Sequence, residues 1–254
     1  DWIDCNPPQD FASRAPPGPL GNLTSFPSPL PINLTRDASG VPLPSSCQEN
    51  AFFLYNFAFD VNGAWGAFYG SDDLRSAFAG AWGAVASAFN TSAAVLAYEL
   101  LNEPWPGNVY SNPLIALESG RADRESLAPL YAAAHAAIRQ ADDRHIIMYE
   151  PSVHEYYLAQ HTGFTSGPGG AAYNDRQVYA YHVYCENQNK TGDPVDVKAC
   201  NDAEKGVWTI GVQDGAALGA GSFMTEFGAF GPNEASAESI RSLLDLADSN
   251  LTSW

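Results

Sequence analysis

Basic residues are scarce in this chain of 254 residues: lysine and arginine together number 12 against 29 aspartates and glutamates, a formal net charge of -17. With no Lys/Arg cluster to meet phosphates, nucleic acid and anionic membrane surfaces are excluded as expected partners, and the acidity reads as a solubility feature. No apolar run approaches the ~18 residues that a spanning helix needs, so no integral membrane segment is expected, and no signal peptide opens the chain. The 4 cysteines show none of the close spacings of a metal site. What is left is a chain long enough to bury a sizeable core as one domain of α/β type.

Other features point to a secretory route. Asn22-Leu-Thr, Asn33-Leu-Thr, Asn90-Thr-Ser, Asn189-Lys-Thr and Asn250-Leu-Thr are acceptor sequons for N-linked glycan, more than chance supplies. Cys5, Cys47, Cys185 and Cys200 are even in number and pair most simply as Cys5–Cys47 and Cys185–Cys200. Each bridge would clamp a loop for ~3 kcal/mol. The alternative is four buried thiols in a cytosolic protein, which a thiol titration distinguishes. The expected location is secreted, or an endomembrane or lysosome-like lumen.

Two textures divide the chain. Residues 1–48 are rich in proline and glycine and read as one long irregular segment, tied at Cys5 and Cys47, of a length that usually shapes a site. From residue 49 to 254 helical and strand patterns alternate. A dense aromatic run (Phe52, Phe53, Tyr55, Phe57, Phe59, Trp65, Phe68, Tyr69) is either packing for an outer helical ring or an apolar wall for a lipid-like group. A helix Leu74–Phe89 is opened by Ser71 as N-cap, with Leu74, Ala77, Phe78, Ala81, Trp82, Val85 and Phe89 on its apolar face. Further helices are expected at Leu127–Ala141, at Ala237–Asp248 and, weakened by Gly211 and Gly215, at Trp208–Leu218; Asn112–Arg124 and Val153–Gly170 read as loops.

Between them lie four short runs that read as buried strands, each ending near a polar group. Val95–Leu101 leads into Asn102, Glu103 and Pro104, where proline should keep Glu103 extended. His145–Glu150 ends in an acid, which either contacts substrate or satisfies an arginine. Val178–Tyr184 carries His182 and Tyr184 two apart, hence on one face. The run from Gly221 ends at Glu226. Two carboxyls at strand ends suit glycoside hydrolysis, one protonating the leaving oxygen and the other attacking or activating water.

Asn102-Glu-Pro, His182-x-Tyr184 and the strand-terminal Glu226, in this order, resemble the retaining glycosidases of the cellulase-like family 5. The resemblance implies an α/β fold, a partial (β/α)8 TIM barrel holding strands four to seven with their helices. The first three strands would precede Asp1 and the last would follow Trp254, making residues 1–254 a single incomplete catalytic domain. Open sheet edges would then leave this piece marginal, aggregation-prone and inactive by itself. Asp1-Trp-Ile-Asp-Cys, Cys47-x-x-Asn-Ala-Phe-Phe, Tyr98-Glu-Leu-Leu-Asn-Glu-Pro-Trp-Pro-Gly, Tyr181-His-Val-Tyr-Cys and Phe223-Met-Thr-Glu-Phe-Gly are further similar to the endoglycoceramidases, especially animal ones. That likeness implies cleavage between oligosaccharide and ceramide, with Glu226 as nucleophile, Glu103 as acid/base, Asn102 on the sugar 2-hydroxyl, Tyr184 holding Glu226 ionised and His182 on the substrate or orienting the proton donor; Glu150 is a substrate contact on the strand-end reading alone. It implies no metal and no organic cofactor, a glycolipid or oligosaccharide as partner, and leaves the oligomeric state open. The same chemistry would serve a β-glucanase, a glucosylceramidase or a steryl glucosidase; outside it stands a non-catalytic glycolipid-binding protein.

Overall fold

The computed structural model describes residues 34–49, 52–189 and 191–254. Helix α1 (Phe59–Gly70) follows a 3-10 turn at Phe52–Phe57, so the aromatic run is broken at Ala58 rather than forming one helix. Its rings mostly pack: Trp65 stacks on Tyr69 at 5.6 Å, Phe68 meets Phe78 edge-on, and Phe57 meets Trp105 edge-on. Helix α2 (Asp72–Phe89) begins where expected, with Ser71 Oγ accepting from the Leu74 N–H at 3.3 Å and Asp72 and Asp73 against the helix dipole.

Four parallel strands follow in sheet order β1-β2-β3-β4: β1 (Ala97–Glu99), β2 (Ile146–Tyr149), β3 (Gln177–Tyr184) and β4 (Gly221–Gly228). Helix α3 (Ala128–Ala141) joins β1 to β2, α4 (Val197–Ala217) joins β3 to β4, and α5 (Glu234–Ser249) follows β4. Side chains alternate across the sheet. Tyr98, Tyr149, Tyr179 and Tyr181 join Leu130, Tyr131, Ile138, Trp208 and Leu243 in the core, while Glu99, Glu150, His182 and Tyr184 stand at the intervening positions. Between α3 and β2 the chain turns on Asp142, which accepts from the backbone of Arg144 and His145 and from the Tyr98 hydroxyl.

Several expectations need correction. The strand Val95–Leu101 shrinks to Ala97–Glu99 and is not covered on both faces, since Leu96 is 63% exposed at the sheet's edge. Only part of the expected apolar face of α2 is covered: Phe78 and Trp82 pack against the core, while Leu74, Val85 and Phe89 remain exposed. Asn112–Arg124 is not all loop but contains a helical turn at Leu114–Leu117 and enters a π-helical turn at Asp123–Leu127; the Val153–Gly170 loop starts with a helical turn at Val153–Tyr157. Within the expected irregular segment, Pro44–Cys47 is a helical turn; the residues before 34 lie outside the described ones. Near the end of the chain Ser253 forms one isolated parallel bridge to Phe223 of β4.

Helix α4 runs unbroken through both of its suspect glycines. Gly211 lies under the Tyr181 ring, where an added Cβ would sit 2.6 Å from a ring carbon, and Gly215 lies against Ser222, where it would sit 2.0 Å from Oγ. The glycines are the condition for helix and sheet to approach, not a sign of fraying. Gly211→Ala is therefore expected to destabilise by roughly 1–3 kcal/mol through overpacking, despite the ~1 kcal/mol that alanine gains in helix propensity. A urea midpoint that stayed level or rose would contradict this.

Cys185 and Cys200 form the expected disulfide, joining the end of β3 to the first turn of α4. Cys47 is also disulfide-bonded; its expected partner Cys5 lies outside the described residues.

Candidate active site

The C-terminal ends of the strands bring the expected acids together. Glu103, His182 and Glu226 each present an atom within 4.8 Å of the others. His182 Nδ1 lies 2.9 Å from Glu103 Oε1 and 3.5 Å from Glu226 Oε2. The Tyr184 hydroxyl donates to Glu226 Oε2 at 2.6 Å. Both acids remain open to solvent, their side chains 26% and 42% exposed, whereas His182 is buried. Asn102 is exposed at the same rim.

Glu226 reaches the site through an irregularity in the ladder. Tyr181 pairs with Met224 but His182 pairs with Glu226, so Thr225 is an extra residue on β4. Strict alternation would send Thr225 and Glu226 to opposite faces. Instead Thr225 Oγ1 donates to Glu99 Oε1 at 3.0 Å while Glu226 still meets Tyr184 on the same side. A bulge of this kind re-aims a side chain, and here it aims the carboxylate at its partner.

Glu103 is positioned differently from expectation. Its φ is +43°, in the left-handed region rather than extended, despite the proline after it. That conformation costs on the order of 1–3 kcal/mol for a residue with a side chain and needs outside support. Support comes from Glu150, whose Oε2 accepts from the Glu103 N–H at 3.1 Å, and from the Pro104 carbonyl, which accepts from Val153 N at 2.9 Å and Ser152 Oγ at 3.1 Å. Asp123 braces this corner from behind by accepting from the backbone of Ser152 and Gly163 and from the Thr162 hydroxyl.

Glu150 is fully buried, and among the described residues its Oε1 faces the His182 ring, with Nε2 3.6 Å away, rather than an arginine. Burial, reinforced by the neighbouring Glu99 carboxylate, pushes its pKa well above the usual range, so it favours the neutral form. The Tyr184 hydroxyl is likewise pushed up by burial and by its bond to Glu226, which keeps it a donor. Glu99, Thr225 and Asp123 were not expected at the site. Glu99 was legible, since it alternates with the apolar Tyr98 and Leu100 in the run expected as a strand; Thr225 was not, because alternation assigns it to the other face.

The profile of the cellulase family (glycosyl hydrolase family 5) matches residues 59–254. Among curated relatives, an endoglycoceramidase of Cyanea nozakii is 34% identical over 239 residues, covering 92% of this chain and 44% of that protein. One of Hydra vulgaris is 33% identical over 232 residues, covering 90% of this chain and 41% of that protein. The chain thus spans less than half the length of these curated relatives. Among solved structures, endo-glycoceramidase II from Rhodococcus sp., captured as a lactosyl-enzyme intermediate, superposes with a TM-score of 0.68 at 23% identity, covering 88% of this chain and 46% of that one. With the family profile running from α1 to the last residue and both acid-bearing strand ends inside it, this chain belongs to glycosyl hydrolase family 5.

Proposed function

We propose that the chain is the central part of a retaining glycosidase that cleaves oligosaccharide from ceramide in glycosphingolipids. In this reading residues 1–254 are one incomplete catalytic domain, with β1 to β4 as strands four to seven of a (β/α)8 barrel and residues 1–48 as a site-forming loop. The observation that carries it is the approach of Glu103 and Glu226 to within 4.8 Å at their carboxylate oxygens. Retaining enzymes hold their carboxyls ~5 Å apart so that one can attack directly, whereas inverting enzymes leave a water-sized gap of roughly 6.5–9.5 Å. The endoglycoceramidase names of the relatives in Cyanea and Hydra support glycosphingolipid as the substrate class.

Glu226 attacks the anomeric carbon as Glu103 protonates the departing ceramide oxygen. Glu103 then takes a proton from water, which releases the sugar and restores both acids. Tyr184 holds the attacking carboxylate in line by its short hydrogen bond. His182 fixes the Glu103 carboxyl, and Glu150 fixes its backbone. Asn102, exposed beside them, takes the sugar 2-hydroxyl. Tyr184→Phe keeps the ring and removes only the donor to an ionised group, worth about 1.5–3 kcal/mol. The expected loss in kcat is roughly 10- to 100-fold; an unchanged kcat would remove Tyr184 from the mechanism.

Expression of the complete reading frame, followed by incubation with a fluorescent-ceramide glycolipid and separately with a β-glucan, tests the assignment. Free ceramide plus intact oligosaccharide is the expected result, and activity on glucan alone would make the protein a β-glucanase. Residues 1–254 by themselves are expected to turn over neither, because β1 and the outer face of α2 lack their covering. Phe59, 61% exposed and stacked on Tyr110 at 6.3 Å beside the loop that follows Glu103, favours an apolar aglycone over a second sugar.

A further inference from the structure

The sequons on described residues do not offer equivalent asparagines, and we propose that Asn189 and Asn250 carry N-linked glycans while Asn90 does not. In the transfer, the asparagine Nδ2 forms a bond to the anomeric carbon of an oligosaccharide carried on a polyisoprenoid pyrophosphate. The bond from that carbon to the pyrophosphate oxygen breaks, the lipid pyrophosphate leaves with the electron pair, and one amide proton goes to the transferase. The product is compatible with the fold only where Nδ2 and the space beyond it are open.

Asn90 fails that condition. It is half-buried where α2 ends, and its Nδ2 donates to the Ala141 carbonyl at the end of α3, 3.0 Å away. Its own carbonyl accepts from Arg144, and the next sequon position but one, Ser92, gives its carbonyl to the ring of His145 at 3.0 Å. A sugar on Nδ2 would enter the joint between α2 and α3, where Gly83 already sits 3.5 Å, by its Cβ position, from Ala137. Asn90 and Ser92 are thus both tied to the segment that joins α3 to β2.

Asn250 is the reverse case. It is exposed as the C-cap of α5, and among the described residues its Nδ2 reaches only the Leu246 carbonyl one turn back, at 2.8 Å in solvent. Leu251, the middle residue of the sequon, is 94% exposed with φ +54°, so the chain has already left the helix. Releasing one exposed helix-end hydrogen bond costs little, because water replaces it. Asn189 is exposed at the tip of a small hairpin closed by the bridge between Gln188 and Pro194. There its Oδ1 accepts from the Thr191 N–H at 2.8 Å and hydroxyl at 2.7 Å, while Nδ2 donates to the half-buried Asp193 carboxylate at 3.2 Å. The hairpin is tied to the loop after β4 by the Gly231 N–H donating to Gly192 at 2.8 Å, so its glycan stands on the rim that bears Glu226. The glycan on Asn250 stands at the opposite end of the helical layer.

The test is to produce the protein in a eukaryotic cell behind a cleavable leader and to map asparagine-to-aspartate conversion after peptide N-glycosidase treatment, on secreted and cell-retained protein alike. Conversion at Asn189 and Asn250 with none at Asn90 is the expected result. Asn189→Gln and Asn250→Gln should each remove one glycan-sized step in gel mobility, and Asn90→Gln none. Conversion at Asn90, or its absence at either of the other two, would overturn the proposal. The map reads no catalytic activity, so it stands or falls separately from the hydrolase reading.

Discussion

Glu226→Gln in the complete protein is expected to lower kcat on a ceramide glycoside by on the order of 10^5-fold, the scale on which loss of a nucleophile is felt. The amide keeps the shape and can still meet the Tyr184 hydroxyl, so substrate binding should survive while bond formation to the anomeric carbon does not. Glu103→Gln is expected to behave differently, and the difference identifies the roles. With ceramide as the leaving group the proton is indispensable, and the loss should approach 10^4-fold, the upper end for general acid catalysis. With an aryl leaving group that departs as a stable anion, the first step no longer needs Glu103. Attack by Glu226 then proceeds, but water is not deprotonated, and a glycosyl-enzyme should accumulate on Glu226 as a burst followed by slow turnover. Peptide mapping of the trapped sugar checks this directly. A burst in Glu226→Gln, or equal losses on both substrates in Glu103→Gln, would reverse or abolish the assignment.

That Glu103 and Glu226 meet was legible at the level of residue type, because Asn102-Glu103-Pro104 and Glu226 each close a short apolar run. The way the chain delivers them was not. Pro104 argued for an extended Glu103, yet the residue adopts φ +43°, held by Glu150 from the neighbouring strand. A tertiary contact 47 residues away overrides a local preference that the dipeptide states correctly. In the same way, alternation cannot announce the extra residue Thr225, since the bulge exists only relative to β3. Helix α4 shows the converse: its glycines read locally as interruptions, and only the presence of Tyr181 and Ser222 beneath them turns them into points of close approach. Where the signal was periodic and long, as in α2, α3 and α5, the element was found. The face of α2 was misjudged in part, because periodicity names the apolar residues without saying which of them the surrounding chain covers.

Stability should fall as pH rises through the weakly acidic range, because the buried carboxyls of Asp123 and Glu204, like that of Glu150, favour their protonated forms in the fold. Burial pushes the Asp123 pKa up to about 6, against the pull of the Thr162 hydroxyl and the Ser152 and Gly163 N–H groups. Burial also pushes the Glu204 pKa up to about 7, and both of its oxygens lack a hydrogen-bond partner among the described residues. For each group the folded pKa exceeds the unfolded one of about 4, so the native state holds protons that the unfolded chain has already released. Their contribution is therefore complete below about pH 4 and is lost progressively until pH passes about 7, amounting to about 3 kcal/mol for each group. Asp142 acts in the opposite sense. Burial pushes its carboxyl up, but the His145 and Arg144 N–H groups and the Tyr98 hydroxyl outweigh that and hold it below the usual range, so its stabilisation is lost as pH falls under about 4. The maximum should thus lie near pH 4 to 5, with a clear decline in the urea midpoint by about pH 7.5. Glu204→Gln removes one buried charge without changing shape; it should raise the midpoint at about pH 7.5 and take away part of the decline, Asp123 and Glu150 supplying the rest. A midpoint that is level between about pH 5 and 7.5, or that drops at the upper value in Glu204→Gln, would mean that these carboxylates are compensated in the fold and that burial does not set their charge.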